Sequence, residues 1–279
     1  MSELSTKKRV AVYGLAALIV LVLVFPVWWI FITSVLPTRV LRSVTPPLIP
    51  PLDQISLDAY PRVFELRPVG RWIRNSFVAA VPAVTASIIV STMAGYSLSR
   101  LASKVQLSIG YSLFMVKVIP TTLLVIPLFM MFSRVGLIDN LVSLMIANAV
   151  VIIPFATWLM KSFFDSIPVE LEQAAMVDGC SRLQALLKVI LPLSKPGIAA
   201  IGVYSGILAW GDFVFARTLV HGGDTATITV GVVGFIGEYT VDWAALMAAG
   251  FVSILPMVIL FVLLEPLLVS GLTGGAVKE

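Results

Sequence analysis

Residues 10–35 carry no charged side chain. Helices rise about 1.5 Å per residue, so a run of roughly 20 apolar residues matches the hydrocarbon of a bilayer. Six such windows are legible, at about 10–32, 76–98, 107–132, 141–160, 197–215 and 243–268. Between them the charges gather in clusters, as expected where lipid is the solvent. Charged residues make up 12% of the chain and apolar ones 59%, against about 25% charged in an ordinary soluble domain. A water-soluble globule is therefore excluded. The expected fold is an all-α integral membrane protein of six transmembrane helices.

The first window follows Lys7, Lys8 and Arg9 like a secretory leader, but it is longer than the roughly 7 to 15 apolar residues of one, and no small-residue cleavage site follows. A retained first span is expected. Basic loops favour the cytoplasmic side, which puts both termini there, with Lys278. Arg100, Lys104 and the segment 161–195 follow them. The loop after the fifth window carries Asp212, Asp224, Glu238 and Asp242 against Arg217, which suits the outside. The loop at 36–75 conflicts with this scheme. It should be external, yet it holds Arg39, Arg42, Arg62, Arg67, Arg71 and Arg74. Its Pro46-Pro47 and Pro50-Pro51 pairs fit an extended crossing. The chain thus divides into residues 1–75, with the tail, first span and external loop, and a core at 76–279. Pro82, Pro120, Pro127, Pro154, Pro256 and Pro266 fall in or beside spans, where neighbouring helices satisfy the freed carbonyls.

The polar island at 161–196 has a construction of its own. Pro168 suits a helix start, and Glu170 and Glu172 complement the helix dipole in its first turn. Ala174 and Ala175 offer a small surface for close approach. Asp178-Gly179 reads as a stop and turn, with Gly179 left-handed. Ser181 and Gln184 form a capping box for a second helix, whose Leu183, Leu186, Leu187 and Ile190 share one side. Pro192 and Pro196 end that helix. Two capped helices in one loop point to a docking surface for another protein or to helices lying on the membrane surface.

The run Glu172-Gln173-Ala174-Ala175, with Asp178-Gly179 and Ile190-Leu191-Pro192, resembles the EAA loop of ABC importer permeases. Further motifs are similar to the carbohydrate-uptake branch, of the MalG maltose permease type. These are Val118-Ile119-Pro120, Ile126-Pro127-Leu128-Phe129, Gly136-Leu137-Ile138-Asp139, Ala209-Trp210-Gly211-Asp212-Phe213 and the tail Gly271 to Lys278. The resemblance implies an ABC type I importer permease in a bacterial or archaeal inner membrane. It implies a paired second permease, two ATP-binding subunits and an extracytoplasmic solute-binding protein as partners. It also implies a sugar or sugar derivative as cargo, and Glu172, Gln173, Ala174, Ala175, Asp178 and Gly179 as the ATPase-coupling residues. Gln173 departs from the family's usual Glu, Gly211 from Asn and Cys180 from Ala.

No GxxxxGK loop is present, so ATP hydrolysis falls to a partner and the chain is not itself an enzyme. A lone Cys180 and a lone His221, in a Gly-Gly-Asp turn, give no metal set, and no cofactor is expected. No basic stripe with interleaved aromatics points to nucleic acid. Lys117, Asn148, Trp158 and Tyr204 lie within spans and are candidates for a substrate path, a charge in a span being functional by default. A secondary transporter would need internal repeats and mid-span carboxylates, and an intramembrane enzyme a paired catalytic motif. Within the ABC class, a polyol or glycerophosphodiester stands as the alternative cargo.

Overall fold

The structure, a computed structural model, describes residues 6–41, 47–101, 103–220, 222–237 and 241–274. His221, Arg42, Pro46, Glu238 and Lys278 lie outside them. Among the described residues the chain is built from helices: α1 Thr6–Ser34, α2 Ala59–Leu66, α3 Val69–Arg100, α4 Lys104–Met115, α5 Val125–Arg134 and α6 Leu141–Asp165. Then come α7 Val169–Val177, α8 Arg182–Leu193, α9 Lys195–Gly211, α10 Val214–Leu219, α11 Ile228–Val233 and α12 Trp243–Gly274.

Four of these, α1, α3, α6 and α12, are long and apolar enough to cross a membrane unaided. The third and fifth windows are instead bent pairs, broken by 99° between residues 118 and 121 and by 73° between 193 and 195. Counting each pair as one span gives six. The third break has a local cause. Proline cannot donate a backbone hydrogen bond and pushes its predecessor out of the helical region. Ile119, before Pro120, is accordingly extended at φ −74° and ψ 123°. Pro82, Pro154, Pro256 and Pro266 sit inside continuous helices.

The start of α3 and the loop before it differ from expectation. α3 begins at Val69, seven residues before its apolar window, because Pro68 presets the helix start and the polar turn Arg71–Asn75 is already helical. The loop before it is not simply extended either, since α2 lies within it.

One compact unit takes the residues up to Gly70 together with 231–255. Its buried residues include Val35, Leu36, Val63, Val69, Ala245, Ala248 and Ala249. Ser34 and Tyr60 share a hydroxyl hydrogen bond of 2.6 Å. Arg62 pairs with Asp242, and Arg67 donates to the Gly234 carbonyl at 3.1 Å.

The other unit takes 71–230 and 256 onward, with α6 at its centre. Ile152, Ala156, Met160 and Phe164 of α6 are wholly buried. At one end of α6, Leu144 and Ala147 pack with Ala79, Phe132 and the α10 residues Phe215, Ala216 and Leu219. Alongside, α3 approaches α6 so closely that a β-carbon on Gly95 would stand 2.9 Å from the Lys161 backbone nitrogen.

The 222–228 loop is stapled into this unit. Asn75 donates to the carbonyls of Asp224 and Ala226 at 2.8 and 3.0 Å, and Ser76 accepts from the Ile228 amide at 2.9 Å. Asp139 accepts from the Gly222 amide at 2.7 Å and from the Thr225 hydroxyl at 2.5 Å. Arg71 pairs with Asp224. Three of the arginines that conflicted with the charge scheme thus have an acid or a carbonyl beside them.

Candidate functional site

The polar island folds as two short helices joined by a tight turn. α7 starts directly after Pro168, and Glu170 and Glu172 occupy its first turn. It ends on Gly179, which takes φ +91°. The Gly179 amide then donates to the Met176 carbonyl at 3.1 Å, and the Cys180 amide to the Ala175 carbonyl at 3.0 Å. This pairing satisfies carbonyls that a helix end otherwise leaves open. The capping box at the start of α8 is formed in both directions. Gln184 N–H donates to Ser181 Oγ at 3.3 Å, and Ser181 N–H to Gln184 Oε1 at 2.8 Å.

Within α8, residues 186–190 widen into a π turn in which the Leu191 amide reaches back to the Leu186 carbonyl. Pro192 follows at once, where no backbone donor is required of it. The stripe of leucines splits across this helix. Leu186 and Ile190 are buried, while Leu183 and Leu187 are exposed.

The expected coupling residues divide in the same way. Gln173, Ala174, Asp178 and Gly179 are exposed, beside Leu171 and Val177, the last of these 87% exposed. Ala175 is buried and Glu172 is only 3% exposed. Glu172 turns inward, where Oε1 accepts from the Tyr96 hydroxyl at 2.5 Å and Oε2 from Arg100 Nε at 3.2 Å. Arg182 Nε stands 4.0 Å from Oε1.

Arg100 also donates through Nη2 to the carbonyls of Phe164 and Ile167, at 2.9 and 2.7 Å. One guanidinium therefore ties the end of α3 to the last turn of α6 and to the first turn of α7. Five fixed donors suit such a three-way junction, which a lysine would not reproduce. Ser99 adds a bond to Asp165 at 2.6 Å. Charge placement marked Arg100 only as a topology signal, and Tyr96 had no signal beyond lying one helical turn before it. Asp178, at the end of α7, has no side-chain hydrogen bond or ion pair among the described residues.

The substrate-path candidates are partly brought together. Lys117 Nζ lies 6.0 Å from the centroid of the Tyr204 ring. Trp158 packs 5.1 Å from Tyr111 and 5.7 Å from Phe114, between ring centroids, and donates to the Gly110 carbonyl at 2.9 Å. Asn148 is 4% exposed, and its side-chain nitrogen has no hydrogen-bond partner among the described residues. Asp212, in the expected Ala-Trp-Gly-Asp-Phe motif, accepts from the amides of Phe215 and Ala216 and so caps α10. No group of three or more potential metal ligands occurs among the described residues.

The binding-protein-dependent transport system inner membrane component family matches residues 87–273, which contain the island, its Arg100 anchor and the bent spans on either side. The chain belongs to this family of ABC importer permeases. The permease is 33% identical over 275 residues to the inner membrane ABC transporter permease protein YcjP of Escherichia coli (strain K12), covering 98% of each chain. It is 35% identical to the sulfoquinovosyl glycerol transport system permease protein SmoH of Agrobacterium fabrum, covering 91% of this chain and 88% of that one. Its fold matches a bacterial ABC transporter involved in the import of the acidic polysaccharide alginate, with a TM-score of 0.77 at 23% identity, over 94% of this chain and 98% of that one. As an inner-membrane permease it works with a solute-binding protein and an ATPase, and hydrolysis belongs to the ATPase.

Proposed function

We propose that the permease carries a sugar or sugar derivative inward and that the exposed face of α7 receives the ATPase. In this reading the assembly holds this chain, a second permease, two ATP-binding subunits and an external binding protein. Both termini face the cytoplasm, on the same side as α7 and α8. The sugar assignment is supported by the relative named for sulfoquinovosyl glycerol transport.

The observation that carries the docking assignment is the two-sidedness of α7. Its inner face is fixed by Glu172 to Tyr96 and Arg100. Its outer face leaves Gln173, Ala174 and Val177 exposed among the described residues. Small residues let a partner approach the backbone, and the buried ion pair gives a push on α7 a stiff route to α3 and α6. Glu172 acts here as a positioning residue, not as a contact.

The test is uptake of radiolabelled sugars by vesicles bearing the complete importer. Ala174→Asp should abolish sugar uptake while the assembly remains intact in the membrane. Unchanged uptake by an assembled Ala174→Asp complex contradicts the docking assignment. Uptake of amino acids but of no sugar contradicts the cargo.

A further inference from the structure

On α4 and the turn that follows it, Tyr111, Phe114 and Lys117 recur every three residues, and on α6 Phe155, Trp158 and Lys161 do the same. Residues so spaced share a helix face. The two stripes interlock through Trp158, which packs on both Tyr111 and Phe114. Tyr204 of α9 extends the series, its ring 4.7 Å from Phe155 and under the Lys117 ammonium. The result is a track of aromatic faces with a cation at each end.

The two cations differ. Lys161 pairs with Asp165 at 2.5 Å. Lys117 has no carboxylate within ion-pair distance among the described residues. It stands 13 residues beyond Lys104, about 20 Å along a helix. Counted within the third of six spans, that depth falls well inside the hydrocarbon, where a charge is kept only toward a polar path or a partner. The backbone opens at the same place, since Ile119-Pro120 breaks the span. Aromatic faces suit the apolar faces of sugar rings, and an unmatched ammonium suits an anion.

We propose that Lys117 receives its counter-charge from the cargo, so that the transported sugar bears an anionic substituent, a carboxylate or sulfonate, that passes the third-span break. The inference rests on the sugar-importer reading above. A neutral sugar would leave the ammonium unmatched throughout transport.

The experiment compares uptake of labelled neutral saccharides with their uronic-acid and sulfonated counterparts, in vesicles holding the full importer and its binding protein. An acidic member should be carried in preference to its neutral counterpart. Lys117→Gln should lower that uptake by about tenfold or more, the scale of a lost charge-assisted contact. Lys117→Arg should retain most of it. Preference for a neutral sugar, or an equal loss of both classes in Lys117→Gln, overturns the inference, the second outcome marking an ion pair with the other permease. Either result leaves the sugar reading standing, whereas transport of no sugar removes both. If Lys117→Gln fails to assemble, the preference of the unmodified importer and the Lys117→Arg uptake decide.

Discussion

Arg100 and Glu172 form an ion pair inside the permease, Nε to Oε2 at 3.2 Å, with side chains 9% and 4% exposed. They come from the last turn of α3 and the first turn of α7. Removing one partner of a buried pair strands the other charge, at a cost of about 3–5 kcal/mol. Replacing both by apolar groups relieves much of that.

Arg100→Met and Glu172→Leu should each lower the thermal stability of the purified permease complex strongly, and the double variant should lose less than the sum of the two. A double-mutant cycle on the melting transition measures the coupling. Additive losses would mean that the pair contributes no interaction of its own.

Gly179 separates conformational from steric effects. A β-carbon there meets nothing within 4 Å, yet φ is +91°. Alanine should therefore destabilise the turn by about 1–2 kcal/mol through backbone strain alone. Asparagine, which tolerates the left-handed region, should cost less. Arginine should leave membrane insertion intact but abolish uptake, by covering the α7 face. Uptake and thermal stability measured on all three variants separate these contributions.

Close helix approach gives a third prediction. Gly95→Ala places its methyl 2.9 Å from the Lys161 nitrogen and the Met160 β-carbon, and such overpacking typically costs about 1–3 kcal/mol. Gly202→Ala would meet Leu264 at 3.5 Å and Ile88 at 4.0 Å, both ordinary contacts. Thermal unfolding in detergent should drop for the first variant and barely move for the second.

Much of this architecture was legible because it is written in local chemistry. The apolar windows gave the long helices, Ser181 with Gln184 gave a cap, and Asp178-Gly179 gave a turn, since each depends on residues a few positions apart. The inward turn of Glu172 was not legible. Its partners lie 72 and 76 residues away, and no periodicity links such positions. The same holds for Asn75 and Asp139, whose bonds to the 222–228 loop span 83 to 151 residues. The early start of α3 was hidden because its first turns are polar, so hydropathy placed the helix where the lipid-compatible part begins.

Those staples yield a fourth prediction. Asp139→Ala removes acceptors for the Gly222 amide and the Thr225 hydroxyl. Amide hydrogen exchange across residues 222–228 should quicken, because local opening then breaks fewer bonds. The α7 amides should exchange as before.

Covering of the outer face of α7 by the ATPase is the contact on which coupling depends in the proposed importer. A cysteine at Ala174, with Cys180→Ser to remove the native thiol, allows a direct measurement in the assembled importer. A short bifunctional thiol reagent should join position 174 to the ATP-binding subunit, and that subunit should shield it from a water-soluble maleimide. Full maleimide labelling with the ATPase bound, and no cross-link to it, would contradict the account.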